Sequence, residues 1–227
     1  MTPPAAIPSQ RVFEVLIRAD AVTLQGDVTL PEPVRGVVIF AHGSGSSRMS
    51  PRNRQVARDL NAAGLATLLL DLLTPQEEQI DQVTATLRFD IGLLARRLTG
   101  AIDWATAHPD LGRLPVGLFG ASTGAAAALV AAAARPGLVR AVVSRGGRPD
   151  LAGLALGEVR APTLLLVGSF DDVVITLTRK AMSSMRCQTQ LEIVPGATHL
   201  FPEPGTLEVV SAQAARWFAD HLTMDAT

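Results

Sequence analysis

Between positions 120 and 124 the chain reads Gly120-Ala121-Ser122-Thr123-Gly124, directly after the apolar run Pro115-Val116-Gly117-Leu118-Phe119 and directly before a stretch that is almost all alanine. A serine with a glycine two residues away on each side, at a passage from strand to helix, is the pattern of a nucleophile exposed on a sharp, strained turn. Side chains at the flanking positions would strike the neighbouring strand and helix. The chemistry such a serine does is attack on a carbonyl, and it requires a base and a carboxylate to orient that base, in the chain order Ser, Asp or Glu, His. The sequence supplies both. After the apolar run 163–167 comes Gly168-Ser169-Phe170-Asp171-Asp172-Val173-Val174, and after the last such run comes Gly196-Ala197-Thr198-His199-Leu200-Phe201.

His199 is the expected base, because it sits in a loop that follows a strand, whereas His108 precedes a proline at a helix end and His221 lies on the last helix. Asp171, three residues after Gly168, is favoured over Asp172 as the orienting carboxylate. Attack by Ser122 creates a negative oxygen that backbone amides must hold. The expected donors are the N–H of Thr123, the residue after the nucleophile, and that of Ser44, with Gly45 next in line. The latter two sit in the loop Ala41-His42-Gly43-Ser44-Gly45-Ser46-Ser47-Arg48. His42 precedes the nucleophile and is read as orienting that loop. Gly43-Ser44-Gly45 begins like a dinucleotide fingerprint, but Arg48 stands where the third glycine belongs and no Gly-Lys-Ser/Thr occurs, so nucleotide binding is set aside.

Positioning these groups requires strands that end together. Two alternating segments, 12–17 and 22–30, read as half-exposed antiparallel strands joined by a tight turn. Buried runs at 36–40, 66–70, 115–119, 141–144, 163–167 and 191–194 read as parallel strands, about eight in all. Helical spacing appears at 52–63, 85–107, 122–134 and from Thr206 onward. This rhythm predicts a three-layer α/β/α sandwich around a mostly parallel eight-stranded sheet. It predicts one domain over 11–224, after a Pro-rich flexible lead-in over 1–10, and leaves no chain for a large cap.

The groups Gly120 to Gly124, the Asp171 and His199 loops and Ala41-His42-Gly43 together resemble the α/β-hydrolase fold, and the cap-free size resembles its dienelactone hydrolase-like branch, over nearly the whole chain from about Phe13. His42 to Arg48, Thr67 to Thr74 and Gly196 to Phe201 are also similar to a bacterial group within that branch, some members of which carry a phosphoribosyltransferase domain with no counterpart expected here. The resemblance implies a hydrolase. One position departs: dienelactone hydrolases proper use a cysteine nucleophile, whereas position 122 is serine and the single cysteine, Cys187, lies outside any such turn.

Composition narrows the rest. The 227 residues are 48% hydrophobic and 18% charged, which suits a sizeable core, and 20 basic against 21 acidic residues give a net charge of −1. That balance removes the basic footprint of a nucleic-acid or anionic-membrane binder. One cysteine excludes an internal disulfide and a cysteine metal site, which makes the cytoplasm the expected compartment. No cofactor and no metal is expected. The expected reaction is hydrolysis of a small ester, lactone or thioester through an acyl-enzyme, with acyl transfer, peptidase activity and a non-catalytic ligand-binding role as alternatives. The expected partner is a small acyl substrate, with a homodimer as the admitted assembly. Arg48, Arg52, Arg145 and Arg148 stand beside the site as candidate binders of a substrate carboxylate, with solvated arginines or internal salt bridges as the favoured alternative. Phe170 and Phe201 stand there as candidate pocket walls in a chain with 4% aromatics and no tyrosine.

Overall fold

The computed structural model describes residues 9–222. Its sheet has eight strands, β1 (Gln10–Ala19), β2 (Val22–Pro31), β3 (Gly36–Ala41), β4 (Leu65–Leu70), β5 (Val116–Ala121), β6 (Val139–Arg145), β7 (Thr163–Gly168) and β8 (Thr189–Val194). They are ordered β1-β2-β4-β3-β5-β6-β7-β8. The first two form an antiparallel hairpin closed by Asp20 and Ala21, β2 meets β4 antiparallel, and all later pairings are parallel. The eight expected strands are all present, most of them a residue or two longer than their apolar cores. The lead-in expected over 1–10 falls on residues 1–8, which lie outside the described residues, and on Gln10, which already belongs to β1.

The helices are α1 (Pro51–Ala62), α2 (Pro75–Thr84), α3 (Ile91–Ala107), α4 (Thr123–Ala134), α5 (Asp172–Met182) and α6 (Thr206–His221). The strands alternate strictly. Val37, Ile39, Leu118 and Val142 face α3 and α4, while Val38, Phe40, Phe119, Ala141 and Val143 face α1 and α6. Two buried layers on one sheet follow, which is the three-layer architecture expected. Alanine dominates α4, so this helix packs closely both on the sheet and against α3. No described helix is long and apolar enough to cross a membrane.

Two segments differ from the periodicity reading. The helix expected over 85–107 begins only at Ile91, because Asp90 caps it by accepting from the Leu93 N–H at 2.9 Å. Ahead of it Ala85 adopts a left-handed conformation (φ 52°) and Leu87–Phe89 forms a single 3₁₀ turn. Helices α2 and α5 and the 3₁₀ turns over Pro149–Glu158 were not anticipated. Only Asp81 is buried in α2, so it carries no apolar stripe to be read; Thr74 and Glu77 start it instead with a reciprocal capping box.

Strand β3 is bordered by β4 on one side and β5 on the other, so successive crossovers leave it in opposite directions. The carboxyl ends of strands flanking such a reversal open a crevice that connecting helices do not cover. Ser44 follows β3 and Ser122 follows β5, so both line up on that crevice.

Candidate active site

Ser122 leaves β5 at φ 51° and ψ −122°, a conformation that side-chain-bearing residues rarely hold, and Thr123 then opens α4. The two glycines permit it. A Cβ on Gly120 would lie 2.4 Å from Ala125 Cα, and one on Gly124 would lie 2.2 Å from the Ala41 carbonyl oxygen. The turn is tied down on both sides: the Ser122 N–H donates to the Arg145 carbonyl at 3.3 Å, and the Ser122 carbonyl accepts from the Ala125 and Arg148 N–H groups at 3.1 Å each. The half-buried hydroxyl has no hydrogen-bond partner among the described residues.

Asp171 and His199 come together from the loops after β7 and β8, with Asp171 Oδ2 2.6 Å from His199 Nδ1. Asp171 is therefore the partner of the imidazole, while Asp172 opens α5. With Nδ1 committed to a carboxylate, Nε2 is the nitrogen able to take up a proton. The two loops are locked to one another, since the Phe170 N–H donates to the Ala197 carbonyl at 3.0 Å and a Cβ on Gly168 would come within 2.4 Å of that same oxygen. Glu203 holds the His199 loop from outside through the Thr198 hydroxyl (2.6 Å) and N–H (3.1 Å). Gly146, just past β6, approaches so near that a Cβ there would lie 2.7 Å from the His199 carbonyl oxygen. The Arg145-Gly146 segment thus touches both the Ser122 turn and the His199 loop.

The loop after β3 abuts the serine: a Cβ on Gly43 would be 3.0 Å from Ser122 Cβ. Neither the Ser44 N–H nor the Thr123 N–H, at the open first turn of α4, has an acceptor among the described residues. His42 organises this loop. Its Nε2 accepts from the Leu72 N–H at 3.0 Å and its Nδ1–H donates to the Gly43 carbonyl at 2.9 Å, which fixes the neutral tautomer. Burial pushes its pKa below the ordinary value, outweighing the Gly43 carbonyl and the charges of Asp71 and Glu78.

The remaining expected site residues do not gather around the serine in the same way. Arg48 is engaged by Asp71, through both its backbone N–H and its guanidinium, and by Asp27 at 3.5 Å. Arg148 forms a two-pronged pair with Asp150 at 2.8 and 2.7 Å. Both guanidinium groups are thereby taken up by the protein's own carboxylates. Phe201 is only 2% exposed and packs in the α1–α6 core beneath Gly146, so it supports the His199 loop and is not a pocket wall, whereas Phe170 is 70% exposed at the rim. Arg145 is buried with no carboxylate partner among the described residues. Sequence reasoning singles out Arg52 but misses Asn53, which meets Arg145 from the first turn of α1; no local pattern joins positions so far apart in the chain.

A strained serine at the sheet's point of reversal, with an aspartate–histidine pair in the loops after β7 and β8, defines the protein as an α/β hydrolase. More narrowly, residues 21–224 match the model of the dienelactone hydrolase family, and the chain belongs to that family. A dienelactone hydrolase crystal structure from Anabaena variabilis is 56% identical, covers 94% of this chain and 99% of its own, and superposes with a TM-score of 0.92. A Mycobacterium tuberculosis protein named "Putative phosphoribosyl transferase" is 58% identical over 218 residues, 96% of this chain but 48% of the relative, so the chain spans about half the length of that curated relative. Est1E from Butyrivibrio proteoclasticus, 15% identical with a TM-score of 0.75 over 91% of this chain and 98% of its own, shares the fold.

Proposed function

We propose that this protein is a serine hydrolase that cleaves a small ester, lactone or thioester through an acyl-enzyme. The observation that carries the reading is the 2.6 Å Asp171–His199 hydrogen bond set in loops that are tied, through Gly146 and Arg145, to the strained Ser122 turn. Ser122 attacks the acyl carbonyl while His199 Nε2 takes the hydroxyl proton, and Asp171 holds the imidazole in the tautomer that leaves Nε2 unprotonated and stabilises the imidazolium. The Thr123 and Ser44 N–H groups receive the carbonyl oxygen as it becomes negative. Loss of one such donor in comparable enzymes costs about 3–4 kcal/mol of transition-state stabilisation. His199 then gives its proton to the leaving oxygen or sulfur, and water, deprotonated by the same imidazole, hydrolyses the acyl-Ser122. Membership of the dienelactone hydrolase family supports hydrolysis, and the serine in place of the family's usual cysteine favours oxygen-ester chemistry with a harder nucleophile.

Steady-state hydrolysis of short-chain p-nitrophenyl esters, a γ-lactone and an acyl thioester by the wild type and by Ser122→Ala tests the reading. Turnover of at least one class that disappears in the variant is expected. Turnover that survives Ser122→Ala would remove the serine from the mechanism.

A further inference from the structure

Arg145 ends β6 and turns its side chain to the α1 face, in the same alternation as Ala141 and Val143. It is only 6% exposed. Its Nη2 donates to Asn53 Oδ1 at 3.3 Å, and its Nη1 is buried without a hydrogen-bond partner among the described residues. Asn53 lies in the first turn of α1, next to Arg52, whose Nε is likewise buried and unpartnered. Burial first, and then the like charge of Arg52, lower the Arg145 pKa to about 10. The contrast with Arg48, Arg54, Arg88, Arg97 and Arg148 is plain, since each of those meets a carboxylate.

The helix end makes the imbalance larger. An α-helix carries partial positive charge and unpaired N–H groups at its amino terminus, where acidic residues usually gather. The first turn of α1 has none; Pro51 carries no N–H and the Ser50 hydroxyl accepts from the Asn53 N–H, which leaves the Arg52 N–H open beside the Arg52 side chain, and the turn meets Arg145 through Asn53. Two guanidinium groups and the positive end of a twelve-residue helix therefore converge with no anion from the described residues between them. A buried, unpaired cation is among the costliest features a fold can keep, and removing it in favour of an apolar side chain is commonly stabilising. Its retention is accounted for if an anion from outside completes the site.

We propose that the corner formed by Arg52, Arg145 and the amino end of α1 binds a phosphate monoester group. A carboxylate would offset only one of the two cations. A phosphate monoester is dianionic above its second ionisation near pH 6, has three acceptor oxygens for two guanidinium forks, and suits a helix amino terminus. On its Arg52 side the corner meets an open cleft of about 540 Å³, lined by Arg52, Ser50 and Pro51 but not by the buried Arg145, that also reaches His42 and Gly45 of the loop beside Ser122. Of the two acidic residues on its wall, Asp71 is already held by Arg48, and Glu78 belongs to α2. The phosphate has two sources: it is carried by the compound that Ser122 cleaves, which rests on the hydrolase reading above, or it belongs to a free phosphorylated metabolite that binds beside the site.

Calorimetric titration of inorganic phosphate at pH 7.5 into the wild type, Ser122→Ala, Arg52→Gln and Arg145→Met tests the proposal. Saturable binding is expected in the wild type and unchanged in Ser122→Ala, so this result stands apart from the hydrolase reading. Each arginine substitution should weaken it about tenfold or more. Arg145→Met should also raise the Tm in phosphate-free buffer, the opposite of what a purely structural arginine would give. Competitive inhibition of neutral-ester hydrolysis by phosphate would assign the site to the substrate, and binding without inhibition would assign it to a free metabolite. No saturable binding at millimolar phosphate, tighter binding of acetate than of phosphate, or binding unaltered in both arginine variants would overturn it.

Discussion

Replacing His42 separates the architecture of the oxyanion loop from the catalytic chemistry. The ring is 7% exposed and bridges two backbone groups, the Leu72 N–H at 3.0 Å and the Gly43 carbonyl at 2.9 Å. In His42→Ala the Leu72 N–H is left buried without a partner, while the half-buried Gly43 carbonyl keeps the Ser46 N–H at 3.2 Å. An unsatisfied buried polar group costs about 1–3 kcal/mol, so the variant should be about 1–3 kcal/mol less stable at pH 8. The difference should also depend on pH. Because burial lowers the folded-state pKa of His42 below the ordinary value of 6.5, the unfolded chain binds more protons between those two values. The stability that His42 contributes is therefore fully present above about pH 6.5 and is lost as pH falls toward its folded-state pKa, with a slope of at most about 1.4 kcal/mol per pH unit. Urea unfolding followed by the fluorescence of Trp104 and Trp217 between pH 5 and 8 measures this directly. The gap between wild type and variant should widen as pH rises through that window and then level. A gap that is absent at pH 8, or that does not change with pH, would refute the reasoning.

Gly124→Ala puts a Cβ 2.2 Å from the Ala41 carbonyl oxygen and 2.4 Å from that of His42. Since backbone must move, we expect a loss of about 3 kcal/mol or more and a fall of at least about a hundredfold in kcat/KM. Gly137→Ala, where the new Cβ meets nothing within 4 Å, should shift chemical denaturation midpoints negligibly and serves as the control. Asp171→Asn keeps the shape of the His199 contact but favours the wrong imidazole tautomer, so kcat for ester hydrolysis should drop by about 10⁴ while the unfolding midpoint stays near that of the wild type; a drop below tenfold would argue that Asp171 does not orient the base.

The parts of the molecule legible in the sequence are those with a local signature. The Ser122 turn announces itself because two glycines must stand at fixed offsets from the serine, and the β-strands because burial on both faces demands continuous apolar runs. His199 and Asp171 could be placed because each follows such a run. Helix α2 has its signature in Thr74 and Glu77, but its polar faces hide it from a search for apolar periodicity. The partners of the arginines are not legible for a different reason. The identity of a guanidinium's partner is decided by the tertiary fold: Asp27 and Asp71 reach Arg48 from β2 and from the loop after β4, and Asp150 reaches Arg148 from the 3₁₀ segment. The same holds for Arg145, which the sheet carries to a helix end 92 residues away in sequence. Phe201, placed beside His199 by sequence, turns inward because its backbone adopts φ 55° just after the loop.

The central claim, that Ser122 is a nucleophile activated by His199, is tested most directly by reacting the protein with a fluorophosphonate and locating the adduct by peptide mass spectrometry. The account predicts one stoichiometric adduct on Ser122, formed at least about a hundredfold more slowly in His199→Ala. No adduct on Ser122, or labelling at an unchanged rate in His199→Ala, would contradict it.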